Sequence, residues 1–168
     1  MRSLGLGLVV SVAALVTSVG CGDDGGTPAD VAGSYTVALT KRDNGCKFTN
    51  WTPGQSDAGV PVVITQSDDM ATADVMGVGG AALNIALGSS AFTGPIAGNH
   101  MDLDLFGNKS FTMGNCAYTY NAKIDGDIAN DTITGRVEYT AKTNSNPDCA
   151  DLEGCLSYQD FNGTRPPT

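Results

Sequence analysis

Apolar and polar residues alternate along most of this chain, the period-two signature of strands with one buried and one solvated face. From Ser34 to Thr40, Tyr35, Val37 and Leu39 share one side, with Ser34, Thr36 and Thr40 opposite. From Ala82 to Leu87, Leu83, Ile85 and Leu87 align; from His100 to Phe106, Met101, Leu103 and Leu105 oppose His100, Asp102 and Asp104. Ala117 to Asp125 aligns Tyr118, Tyr120, Ala122 and Ile124. The longest run, Thr132 to Lys142, turns Ile133, Val137, Tyr139 and Ala141 inward and Thr134, Arg136, Glu138 and Thr140 outward, a spacing that no helix presents.

Turn chemistry separates these runs. Gly98-Asn99 sits between two of them as a tight hairpin should, and Asn130-Asp131 and Ser67-Asp68-Asp69 do the same elsewhere. Short connections pair neighbouring strands antiparallel. The pattern predicts an all-β domain of about eight to ten short strands without a substantial helix, Ala150 to Leu156 forming at most one turn. One-sided strands in up-and-down order bury their apolar faces and lose their edges by closing on themselves. A small antiparallel β-barrel is therefore expected, with an antiparallel β-sandwich as the alternative. Gly33-Ser34-Tyr35, which opens the first strand, resembles the Gly-x-Trp opening of lipocalin-like barrels with Tyr in place of Trp. The resemblance implies a closed barrel end, with Arg165 after the last strand as the residue that would close it.

The N-terminus follows a different logic. One positive charge, at Arg2, precedes an uncharged apolar run from Leu4 to Val16, too short for the roughly 20 residues of a membrane-spanning helix. Ser18-Val19-Gly20-Cys21 resembles the lipobox of bacterial lipoproteins. That resemblance implies cleavage before Cys21, lipid on its thiol, and a protein attached to the cell envelope by acyl chains. Gly22 after the lipidated residue implies the outer membrane. Residues 1–20 are then a signal peptide that is removed, residues 21–30 a lipidated Cys with a flexible acidic tether, and residues 31–168 a single β-domain.

Cysteine count agrees with this division. Of five cysteines, lipidation of Cys21 leaves Cys46, Cys116, Cys149 and Cys155, an even set for an oxidising compartment. Three connectivities are open; the favoured one joins Cys149 to Cys155 as a local clip and Cys46 to Cys116 across the Lys41 to Val60 excursion. Zinc is disfavoured, since no C-x-x-C pair exists and the chain has one His.

After removal of residues 1–20, eight Lys and Arg stand against eighteen Asp and Glu, a formal charge of −10. Scattered cations in a negative field exclude nucleic acid as a partner. Gly77-Val78-Gly79-Gly80-Ala81-Ala82 fits G-x-G-x-x-A, but with a strand and hairpins following it the motif lacks the helix that a dinucleotide requires, so no cofactor is expected. His100 shares a strand face with Asp102 and Asp104, and Asp125, Asp127, Asn130 and Asp131 carry oxygens suited to calcium. A solvated strand face and hairpin turns account for both groups, and no metal is expected. Nucleophile elbow, zinc-protease and phosphate-loop motifs are absent, so no catalytic constellation is identified and the protein is read as a non-enzyme.

One feature remains. The Lys41 to Val60 excursion carries the only Trp, Trp51, close to Phe48, an aromatic pair placed either to contact a ligand or to cap an open barrel end. The leading expectation is an envelope lipoprotein, held to the membrane through Cys21, whose barrel binds a small apolar ligand or a protein partner. The alternative is a structural or inhibitory lipoprotein whose barrel is filled. Cavity volume separates the two.

Overall fold

The computed structural model describes residues 26–166. Residues 1–25, on which the expected signal peptide, Cys21 and the first part of the expected tether fall, lie outside the described residues. Nine strands follow one another: β1 (Gly33–Asn44), β2 (Ser56–Ser67), β3 (Met70–Val75), β4 (Ala91–Ala97), β5 (His100–Leu105), β6 (Phe111–Met113), β7 (Cys116–Ala129), β8 (Thr132–Thr143) and β9 (Leu156–Thr164). One helix, α1 (Gly77–Ala86), stands between β3 and β4.

Each strand pairs antiparallel with its neighbour in the order β5-β4-β3-β2-β1-β9-β8-β7-β6, and β5 also pairs with β7. That last ladder, from His100↔Asp127 to Leu105↔Ala122, closes eight strands into a barrel and leaves β6 as a short flap on β7. Closure gives every long strand two hydrogen-bonded neighbours, so among the described residues only the three-residue β6 keeps a free edge. The barrel, rather than the sandwich, is the architecture. Its inward face follows the alternation: Tyr35 and Val37, Val62 and Ile64, Met101, Leu103 and Leu105, and Ile133 and Val137 are all buried.

The two barrel ends differ. The β2–β3, β4–β5 and β7–β8 turns share one end, where Asp68 (φ 56°), Gly98 (φ 57°) and Asn130 (φ 54°) supply the left-handed backbone that tight hairpins need. The N-terminal segment crosses this end: Ala29 N donates to Gly98 O (2.8 Å), and Val31, fully buried, donates to Gln66 Oε1 (2.8 Å). Arg165 fastens it by donating to Ala32 O (2.6 Å), Asp30 O (3.2 Å) and Asp131 Oδ1 (2.9 Å), with its guanidinium 5.9 Å from the centre of the Tyr35 ring. This end is closed, and Arg165 and Tyr35 occupy the places expected of them.

At the opposite end lie the β1–β2 loop, α1, the β5–β7 connection and the β8–β9 connection. Here the structure corrects three expectations. Ala82 to Leu87 is not a strand: α1 covers Gly77–Ala86, and Leu83 and Leu87 turn to the barrel while Ile85 is 72% exposed. The G-x-G-x-x-A stretch therefore does open a helix, but that helix joins antiparallel strands, so the fold lacks the parallel crossover of a dinucleotide site. The excursion after Lys41 is shorter than expected, because β1 continues to Asn44 and β2 begins at Ser56.

Helix α1 lies so close to the sheet that a Cβ on Gly80 would run into the Val75 carbonyl oxygen. Gly80→Val should therefore push the helix outward and cost about 1–3 kcal/mol, read as a lower urea midpoint at unchanged slope. An unchanged midpoint would show that the helix is not pressed against β3.

Candidate ligand cavity

Small inward residues leave the barrel hollow. Ala73 of β3 and Gly79, Ala82 and Ala86 of α1 are small residues of its lining, where larger side chains would take up space. The result is a cavity of about 730 Å³, within the roughly 300–1,000 Å³ of small-molecule sites. Its floor and walls are apolar: Val37, Ile64, Phe92, Met101, Ile133 and Phe161, with Leu83 of α1 and Leu87 at the helix C-terminus. Dispersion contacts and release of water would favour any apolar body that fits.

Aromatic residues gather on one side of the mouth. Phe48 lies 5.7 Å from Trp51, 4.7 Å from Tyr120 and 5.8 Å from Tyr139, centroid to centroid. Trp51 meets Tyr139 edge-on at 6.0 Å and anchors its indole by donating Nε1–H to Arg42 O (2.9 Å). Asn44 fixes the Phe48 backbone at both ends, accepting from its N–H (2.8 Å) and donating to its carbonyl (2.9 Å). Phe48 and Trp51 both line the cavity, so the pair singled out in the sequence sits at its entrance.

Three polar residues project inward among these rings, Tyr139 as its alternation predicted and Lys41 and Gln159 unforeseen from the sequence. Register places Lys41 of β1, Gln159 of β9 and Val137 of β8 side by side, and Tyr139 follows two residues along β8. Lys41 Nζ donates to Asn50 O (3.3 Å) and Gln55 Oε1 (3.1 Å) and pairs with Asp57 (3.4 Å). The Tyr139 hydroxyl donates to Gln159 Oε1 at 3.2 Å. Burial pushes the Tyr139 phenol well above its ordinary value, so it stays a neutral donor. The available signal was Ser157-x-Gln159-x-Phe161-x-Gly163, an inward face whose polar half disguises its alternation.

Two disulfides hold the rim, with partners other than those expected. Cys46 in the β1–β2 loop pairs with Cys155 just before β9, and Cys116 at the start of β7 pairs with Cys149 in the β8–β9 connection. Neither the local Cys149–Cys155 clip nor the Cys46–Cys116 bridge forms. Cys149 and Cys155 instead reach from one connection to two different neighbours, which ties three mouth segments together.

The remaining chemical candidates stand outside the barrel. His100 Nδ1 lies 3.2 Å from Asp127, whereas Asp102 pairs with Lys123 at 2.9 Å. Among the described residues no cluster of three or more His, Cys, Asp or Glu is placed to hold a metal. Compared with known proteins, the chain matches no family model, no curated protein and no solved structure.

Proposed function

We propose that this protein is a non-enzymatic envelope lipoprotein that holds a small, largely apolar ligand inside its barrel. The observation that carries the reading is the apolar cavity of about 730 Å³ with Phe48 and Trp51 at its mouth. A filled barrel would leave no such space, so the cavity favours a ligand over a purely structural role. The chain's single histidine stands on the outer face, where His100 alternates with inward Met101, so a triad built on it would not act on a molecule in the cavity.

Anchorage rests on Cys21, within Ser18-Val19-Gly20-Cys21. The chain meets the barrel at its closed end, through Ala29 and Val31. An anchored domain would therefore turn its mouth away from its own membrane, towards whatever supplies or receives the ligand. With a formal charge of −10, the mature chain is repelled by anionic lipid, which also keeps the globule off the surface.

Mass spectrometry of an organic extract of the intact lipidated protein tests the ligand: one class of small amphiphile should be enriched over a mock purification, and an empty extract would count against the reading. Cys21→Ser should move the protein from the membrane pellet to the soluble fraction and abolish labelling by an alkyne fatty acid. Retention of both would remove the anchor from the proposal.

A further inference from the structure

Gln159 is 7% exposed, and its side chain faces inward from β9. Tyr139 donates its only proton to Gln159 Oε1, which leaves both hydrogens of Nε2 for something else. Among the described residues Nε2 has no partner, yet no buried side-chain nitrogen or oxygen is both unpaired and sealed from open space. The nitrogen therefore borders the cavity that Gln159 lines. Lys41, the only cation of the lining, already spends its donors on Asn50, Gln55 and Asp57. The Gln159 amide is thus a free and buried donor in the chamber, whereas the other unpaired side-chain donors of the lining, on Thr49 and Asn50, stand exposed on the β1–β2 loop at the mouth.

Position along the strand gives the ligand its polarity. Below Gln159 on the inward face of β9 come Phe161 and Gly163, flanked by Leu39 and Val37 of β1 and by Ile133 of β8. From residue 159 to 163 is about 13 Å of strand with no inward polar side chain. An unpaired amide hydrogen above an apolar floor is costly until an acceptor reaches it, and a hydrocarbon cannot supply one.

We infer that the cavity selects an amphiphile with a carbonyl-type oxygen, bound by Gln159 Nε2, and an apolar body that descends to the floor at Val37 and Ile133. This rests on the reading of the barrel as a ligand pocket. It adds that the pocket reads a hydrogen-bond acceptor at one height.

The experiment uses the disulfide-bonded domain and the fluorescence of N-phenyl-1-naphthylamine, a neutral apolar probe. Two competitors of matched chain length displace it: 2-undecanone, whose head accepts, and undecylammonium, whose head only donates. The ketone should displace the probe at lower concentration even though the protein's negative charge favours the cation. Gln159→Leu should weaken the ketone about 3- to 10-fold. Gln159→Glu, which offers only acceptors, should invert the preference. If the probe fails to bind the unaltered protein, the pocket reading itself falls. If the probe binds but the unaltered protein shows no preference for the ketone, or Gln159→Leu leaves ketone affinity unchanged, the pocket stands and the role of Gln159 is overturned. The comparison on unaltered protein decides the matter even where a variant does not fold.

Discussion

Replacing Cys46 and Cys155 together by alanine is expected to lower the unfolding free energy by about 3–5 kcal/mol, and the melting temperature by roughly 10–15 °C for a domain of this size. The bridge spans 109 residues, against 33 for Cys116–Cys149, and closing the longer loop removes more entropy from the unfolded chain. The Cys116/Cys149 pair should therefore cost less, about 3–4 kcal/mol in the same account. Either loss is a large part of the 5–15 kcal/mol that usually holds a domain together. The two should also differ in function. Cys46 lies two residues before Phe48 and donates its backbone N–H to Ser157 Oγ (3.0 Å), so its release loosens the aromatic wall of the mouth. Calorimetry of the two variants, with a non-reducing peptide map of the parent, checks this. Equal melting of parent and Cys46/Cys155 variant, or a Cys149–Cys155 fragment in the map, would refute the arrangement.

Why these pairings escaped the sequence is a matter of geometry. Spacing along a chain says which cysteines are near neighbours, but disulfides join residues that the fold brings together at one barrel end. The five residues between Cys149 and Cys155 suggested a clip; the chain there makes a 3-10 turn at Pro147–Cys149 and presents the two thiols to different segments. Strands were far more legible. Alternation in 100–106, 117–125 and 132–142 located β5, β7 and β8, and the turns at Gly98-Asn99 and Asn130-Asp131 fell where the structure has them.

Helix α1 was hidden by its own composition. Gly77, Gly79 and Gly80 carry poor helix propensity, and Leu83-x-Ile85-x-Leu87 mimics a strand. Packing overrides both signals. Leu83 and Leu87, four residues apart, face the barrel together, and the space beside Gly80 lets the helix reach the Val75 backbone. Gly88, at φ 89°, is the left-handed glycine that commonly follows a helix, a stop signal masked by the serines after it. The aromatic pair at Phe48 and Trp51 was legible because a lone Trp on a long connection stands out. Lys41 and Gln159 were not, since their inward direction depends on register with strands far away in sequence.

Phe92→Ala is expected to destabilise the domain by about 3–5 kcal/mol, and the manner of the loss separates a hollow barrel from a solid one. Phe92 is 1% exposed, pairs across the ladder with Ala73, and forms part of the cavity wall beneath Leu83 and Leu87. Truncation strips its contacts within the core and enlarges the existing chamber. Leu103 provides the comparison: it is fully buried on β5 and contributes nothing to the cavity wall, so Leu103→Ala opens a separate void at about 2–5 kcal/mol. A ligand that binds only the folded state adds RT ln(1 + [L]/Kd), about 2.7 kcal/mol at a hundredfold excess over Kd. N-phenyl-1-naphthylamine should therefore raise the midpoints of parent and Leu103→Ala by similar amounts, because both keep the chamber wall intact. For Phe92→Ala the increment should differ, since the probe then meets a larger and less complementary space. Identical increments for all three proteins would mean that the probe binds away from the chamber, and a loss below about 1 kcal/mol for Phe92→Ala would mean that its ring is not part of a packed wall.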